Sequence, residues 1–527
     1  MGISRRTFLT GSLVAGAGII GGLAGCAPTD HAKSDTESTG EKTKAAEHTP
    51  SVTESFDVVV VGSGTAGTCA ALRAAQQGFS VLCLEKNSSL GGTSVFAEGL
   101  CGIGSSYQAK QGITVDKSAV LADTMEYHHH ACLGPVVRAF VDECGTTIDW
   151  LQDQGITWTS VVALGESYPV WHLPADEVGA PAHMQTVLEI LQGKAEEAGV
   201  EFRTSQAMTD LAMVDGTVSG VFSGPSNNET LFEAKAVVLA SGGYANNAEL
   251  FERFTGRPYD SVHVWGMSGR DGDGISTAIA TANADTHIPS AVMYHTGRID
   301  GTDAFSDVPN FVLTMQPTLR VNATAKRYFN EAVTSDFSAT GNVLTTNTGN
   351  YVIFDDAYLN YIEQSGPFCP MPNLGAFVGQ PFPCRKEIES CTGIAQADTV
   401  EALAEKLELD GTTLANTIER YNSFCASGVD EDFGKPAEQL LTVSAAPFYG
   451  AKITPTLFTT VGGLRVNEHM QVINVDGAPI SGLYAAGGDA GGLYGANYDV
   501  DVCSGSQQGW AATSGRIAAE HLAETVK

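Results

Sequence analysis

The sequence predicts an α/β protein, on three observations. An apolar, β-branched run, FDVVVV at residues 56–61, is followed at once by Gly62, Gly64 and Gly67. An alanine-rich stretch then runs to about residue 76. A second apolar run at residues 80–84 ends on Glu85. Strand, glycine turn, helix and strand make the βαβ unit of a parallel sheet, whose strands read as unbroken apolar runs because helices cover both faces. Composition agrees: 43% hydrophobic residues and 59 glycines in 527 residues describe a globular chain with many close backbone approaches. That length allows two or three domains.

The chain opens on a targeting segment. Arg5 and Arg6 in SRRTFLT precede a glycine-rich, weakly apolar run too short and small to read as a spanning helix, and LAGC at residues 23–26 closes it. This pattern looks like a twin-arginine export signal over residues 1–25 that ends in a lipobox, with Cys26 as the lipid-bearing cysteine. The alternative is an uncleaved membrane anchor. Residues 26–53 are polar and aperiodic, as a disordered tether is. The expectation is an extracytoplasmic protein, lipid-anchored to the membrane.

Charge narrows the function. With 29 Lys and Arg against 60 Asp and Glu, the net charge is −31, which opposes nucleic-acid binding. The ten cysteines beyond Cys26 form neither C-x-x-C nor C-x-x-C-H, so iron–sulfur, zinc-ribbon and c-type haem sites have no support. Most read as buried thiols, although Cys384 and Cys391 lie close enough in sequence to pair.

The glycine motif gains weight from its surroundings. Gly62, Gly64 and Gly67 follow a strand and open a helix, and Glu85 stands 18 residues beyond the last of them. This is the geometry of a Rossmann-like dinucleotide fold, in which backbone N–H groups of Gly64, Thr65 and Ala66 meet a pyrophosphate and the acid takes the ribose hydroxyls. Further glycine turns follow apolar runs: Gly92, Thr93 and Ser94 after Lys86; Ala240, Ser241 and Gly242; and Gly488 with Asp489. Several such turns along one chain suit FAD, long and extended, better than a reversibly docked nicotinamide.

Other stretches complete a family pattern. GRDGDGISTAIATANAD (269–285), LRVNATAKRYFNEAV (319–333), YVIFDDAY (351–358), APFYGAKITPTLFTTVGGLRVN (446–467) and GLYAAGGDAGGLYGAN (482–497) occur in order. From residue 56 onward the chain resembles the FAD-dependent fumarate reductase, urocanate reductase and 3-ketosteroid dehydrogenase superfamily, as a flavocytochrome c-type flavoprotein without a haem domain. The resemblance implies a GR2-type FAD-binding domain, residues 54–289 and 459–527, interrupted by an α+β capping domain at 290–458. It adds Ala207 and Asp273 to the cofactor contacts, and Gly505, Ser506, Gln507 and Gln508 at the flavin's pyrimidine end. It also implies hydride exchange between flavin N5 and a conjugated C=C bond, which needs donors for the developing charge and a proton donor opposite N5.

The candidate catalytic residues come from the same resemblance. His295 falls where the family has a substrate-facing histidine, and Glu331 matches the acid of its proton-delivery chain, with a structural ion pair to Lys326 or Arg327 as the alternative. Several family positions depart: its catalytic arginine aligns near Leu359, beside Tyr358; its relay arginine near Ser335; and the arginine after GAN is Tyr498. A tyrosine flanked by Asp499 and Asp501 does not suit a small dianion. Tyr498 either binds or protonates substrate, or packs under the flavin. His172 belongs to a segment resembling a substrate-side loop.

The triple histidine at 128–130 reads as a partly exposed helix rather than a metal site, because neighbouring side chains diverge by about 100°. The resulting expectation is an exported FAD-dependent oxidoreductase that reduces an activated C=C bond in an enone or conjugated acid, fed by a separate membrane-linked electron donor. A ketosteroid-type dehydrogenase, a dicarboxylate reductase and a non-catalytic flavin carrier are the rivals.

Overall fold

A computed structural model describes residues 48–164, 167–302, 307–371 and 374–526. The export signal, Cys26 and the tether up to residue 47 lie outside them. The end of the expected tether is ordered: His48 Nδ1 meets Glu229 at 2.9 Å, its Nε2 meets Asp210 at 3.0 Å, and its ring stacks on Phe222. Two carboxylates and an aromatic face hold what composition alone reads as disorder.

The first strand, β1 (Val52–Val61), leads into helix α1 (Thr65–Gln76) and strand β2 (Val81–Leu84). Val58 to Val60 are fully buried and pair in parallel with β2, as their unbroken apolar run requires. Short strand β3 (Leu100–Cys101), helices α2 (Lys117–Tyr127) and α3 (Gly134–Asp153), and strand β4 (Trp171–Pro174) follow. Strands β5 (Glu201–Arg203), β6 (Met208–Val214), β7 (Thr217–Ser223) and β8 (Thr230–Leu239) complete the first part. Here β8 lies parallel to β1, with Val59 opposite Val237.

Helix α4 (Asp273–Ala282) precedes a second sheet built from β9 (Val292–Ile299), β10 (Leu319–Asn322), β11 (Asn350–Asp355) and the long β12 (Phe448–Thr460). Helix α5 (Phe337–Thr346) packs on it. Strand β12 pairs with β11 through its first half and with β9 through its second. The pair His263–Val264, upstream of residue 290, also joins this sheet by lying along β12. The sheet has its own apolar cores around Phe311, Phe354 and Ile453, and around Leu414 and Tyr421.

The chain then returns to the first sheet as β13 (Gln471–Ile473) and β14 (Pro479–Ala485), giving the order β13-β14-β8-β1-β2-β5, with β7 and then β6 added on β8. The last helix, α6 (Ser506–Thr525), lies against α1. A Cβ on Gly515 would sit 2.2 Å from the Ala66 carbonyl oxygen, so the two helices need glycine and alanine to approach this far. Among the described residues, no helix is long and apolar enough to cross a membrane.

Candidate active site

One cavity runs along the carboxyl ends of β1, β2 and β8, where ligands of open α/β sheets bind. Its floor is the Gly62 turn. Gly62 has φ +102°, and a Cβ there would lie 2.3 Å from the Ala240 carbonyl oxygen. Gly64 caps α1 without any side chain, leaving first-turn N–H groups and the positive end of the helix for a ligand phosphate. Glu85 also lines the cavity, its carboxylate held by the Ser63 amide and hydroxyl (3.1 and 2.7 Å) and the Asn87 amide (2.9 Å). Lys86 is ion-paired with Asp271 and Asp273 at 2.5 and 2.6 Å.

Most of the expected cofactor contacts meet here. Gly62, Gly64, Thr65, Ala66, Glu85, Lys86, Gly92, Thr93, Ser94, Ala207, Ala240, Ser241, Gly242, Asp273, Gly488, Gly505, Gln507 and Gln508 all line the cavity. Three expected contacts do not. Gly67 packs α1 onto its own turn, since a Cβ there would fall 1.8 Å from the Gly62 oxygen. Asp489, fully buried, ties the Ser241 and Gly243 amides at 2.6 and 2.9 Å and so shapes the turn whose Ser241 and Gly242 line the cavity. Ser506 faces the buried side of its helix and donates to Asp499 at 2.6 Å.

Beyond the Gly62 cradle the wall becomes aromatic and sulfur-rich. Met293, Met315, Phe337, Met371 and Phe458 line it, and Phe96, Trp265 and Phe458 stand in a row with centroids 5.3 and 5.0 Å apart. Trp171 lies against Gly505, where a Cβ would come 2.4 Å from the indole. The cationic side chains lining the cavity, among the described residues, are Lys86 and Arg270. Arg270 donates to the Trp265, Met267 and Phe458 carbonyls, and burial lowers its pKa to about 10. Glu98 also lines the wall, and burial raises its carboxyl to about 7. Single apolar residues scattered over separate elements carry no local pattern, so the sequence reading missed this wall; only the position of Glu98, between two glycine turns, could have marked it.

Of the candidate catalytic residues, Tyr498 alone lines the cavity. Its hydroxyl accepts from the Gly505 amide at 3.1 Å, and burial raises its pKa above the ordinary phenol value. His295 is fully buried behind the wall, its ring 4.5 and 4.7 Å from those of Phe337 and Phe458 and its pKa pushed down to about 3 by burial. Glu331 is held by Arg327 through two hydrogen bonds, 3.0 and 2.8 Å, with Asp430 on the same guanidinium and Lys435 at 3.6 Å. The ion pair anticipated for it as an alternative is therefore formed, with Arg327. Tyr358 is buried in the second sheet's core and donates to the Val312 carbonyl at 2.6 Å. His172 is likewise buried beneath the wall, bonded to Ser105 at 2.8 Å.

The cradle fits FAD: glycine cradle, open helix end, acid at the ribose position and a broad apolar chamber beyond. The site is that of a flavoprotein oxidoreductase acting on CH–CH or C=C groups. The chain belongs to the FAD binding domain family, whose model matches residues 57–500. It is 36% identical over 488 residues to a vinyl phenol reductase of Lactiplantibacillus plantarum, covering 89% of this chain and 97% of that one. It is 27% identical to a fumarate reductase (cytochrome) of Shewanella frigidimarina, covering 90% and 78% of the two chains. The fold also matches a 3-ketosteroid Δ1-dehydrogenase from Sterolibacterium denitrificans, with TM-score 0.73 at 18% identity over 89% of this chain and all of that one.

Proposed function

We propose that this protein reduces the conjugated C=C bond of an apolar, ring-bearing substrate, a vinyl phenol or an enone, with Tyr498 supplying the proton. The observation that carries this reading is the wall of Met293, Met315, Phe337, Met371 and Phe458 beside Tyr498. Arg270 and Lys86, the cations of that cavity, are already committed to carbonyls and carboxylates. A dicarboxylate would enter without a partner, and an unpaired buried charge costs several kcal/mol. An aromatic ring buries its faces against methionine and phenylalanine instead.

Bound FAD supplies the hydride and its two electrons. The chain's own residues seat it through the Gly62 turn and the start of α1, exclude water with the aromatic row, and hold the Tyr498 proton at the cavity surface. The relative of highest identity given above is a vinyl phenol reductase, which supports the substrate class. Electrons arrive from a separate membrane-linked donor, and the protein is exported and lipid-tethered at Cys26; SRRTFLT and LAGC support this. Cell fractionation and the mass of the mature N-terminus test that part.

The substrate is tested by anaerobic mixing of dithionite-reduced protein with 4-vinylphenol, an aryl enone, fumarate and a 3-ketosteroid. The alkenes bearing a ring should reoxidise the flavin at least tenfold faster than fumarate. Fumarate turnover at a comparable rate would overturn the reading. Bleaching of oxidised flavin by a saturated 3-ketosteroid would instead establish the oxidative direction.

A further inference from the structure

The wall segment between the two glycine turns carries a carboxyl that neither the cofactor cradle nor the proposed proton transfer uses. A short 3-10 helix, Gly92–Phe96, ends just before it, Ala97 is extended (φ −72°, ψ 149°), and β3 begins at Leu100. Both flanks of Glu98 are pinned. The Ala97 carbonyl accepts from the Met184 amide at 2.8 Å, and β3 pairs with β4, Leu100 opposite His172 and Cys101 opposite Trp171. A Cβ on Gly99 would come 3.0 Å from Trp171 Nε1, and one on Gly505 2.8 Å from the same atom. Both glycines therefore close on one edge of that indole. Gly505 holds the Tyr498 hydroxyl through its amide, so Glu98 and Tyr498 share one end of the cavity. Phe96, two residues before Glu98, stands in the aromatic row.

We propose that Glu98 accepts the hydrogen bond of a phenol hydroxyl on the substrate, and so selects hydroxylated styrenes among the ring-bearing alkenes. The assignment deepens the proposed reduction and rests on it. The other carboxylates lining the cavity serve its nucleotide half: Glu85 is held by Ser63 and Asn87, and Asp273 pairs with Lys86. Two hydroxyls lining the cavity point to backbone instead, Ser504 donating to the Val500 carbonyl at 3.1 Å and Thr459 to the Thr460 carbonyl at 3.4 Å. A phenol entering this chamber without Glu98 would bury its O–H against methionine and phenylalanine, and a buried donor left without an acceptor is costly. A carboxylate has two oxygens, so it takes a substrate donor beside any contact it keeps within the protein.

The electrostatics suit that task. Burial raises Glu98 to about 7, so at pH 8.5 it is a carboxylate and accepts only, while a phenol of ordinary acidity, about 10, still holds its proton. The same negative charge repels the carboxylates of fumarate, in a cavity whose cations are already committed. No proton or electron moves in this contact. It orients the ring, while hydride and the Tyr498 proton go to the two alkene carbons.

Binding tests the assignment without turnover. The FAD-loaded protein is titrated at pH 8.5 with 4-ethylphenol, ethylbenzene and 4-ethylanisole, followed by the visible flavin spectrum. Wild type should bind the phenol roughly tenfold or more tightly than either ligand that lacks the O–H. In Glu98→Leu that preference should shrink to about threefold or less, and in Glu98→Gln, which keeps the shape and a neutral acceptor, it should fall to an intermediate value. A merely structural role would weaken all three ligands alike. Should Glu98→Leu fail to fold or to hold flavin, Glu98→Gln decides, and its preference must drop by about threefold or more. A wild type without the preference, or a preference kept in every folded variant, overturns the assignment. The two readings fail separately: wild type inert towards every alkene yet selective for 4-ethylphenol sinks the proposed reaction and keeps Glu98, whereas equal kcat/KM for 4-vinylphenol and styrene sinks Glu98 and keeps the reaction.

Discussion

The Tyr498 hydroxyl accepts from the Gly505 amide, whose residue sits at φ +76°, so the phenol is fixed by backbone rather than by a mobile side chain. Removing that hydroxyl with Tyr498→Phe keeps the ring and its 5.9 Å packing on Tyr494. We expect kcat to fall about 100-fold, KM to stay within about threefold and the visible flavin spectrum to be unchanged, in stopped-flow reoxidation. Tyr498 was legible because it stands directly after GAN, where the family pattern has an arginine. Asp499 was legible only as a charge. Its bond to Ser506 is made only seven residues on, at the start of α6, while its burial also depends on His128, just past α2 and distant in sequence.

Elements show the same division between local and long-range signals. The turn carrying Glu331 follows β10 and reads like a catalytic element, yet the structure makes it a strut: Arg327, Glu331, Asp430 and Lys435 form one buried network. Glu331→Gln would leave Arg327 and Lys435 short of a counter-charge, so it should destabilise the protein by about 3–5 kcal/mol, read as a lower denaturant midpoint. The folded fraction should retain wild-type kcat; a catalytic Glu331 would lose it. At the start of β1, burial lowers the His48 pKa but hydrogen bonds to Asp210 and Glu229 outweigh it, and the net shift is upward. A raised pKa in the folded state means this contact stabilises fully below pH 6.5 and is lost as pH rises through the folded value. Amide exchange at Ser51, bonded to the Glu229 carbonyl, should accordingly be faster at pH 8.5 than at pH 6 after correction for intrinsic rates.

At the scale of the whole molecule, the FAD sheet was legible from residue 56 because two of the motif's glycines answer backbone needs that no other residue meets. Gly62 and Gly67 would each place a Cβ on a carbonyl oxygen. The second sheet was legible in outline alone, since β12 serves two neighbours at once and its pairing with His263–Val264 spans nearly two hundred residues. The catalytic side of the cavity was the least legible. It is assembled from Phe96, Trp171, Trp265, Met293, Phe337 and Phe458, which come from separate helices, strands and loops and meet only in the folded chain. Two of the five tryptophans therefore stand on the cofactor's own wall. Excitation at 295 nm should pass from those indoles to the bound pigment, so emission from the loaded protein should be dim and should brighten by about a third or more on stripping, making the colourless form an optical gauge of occupancy.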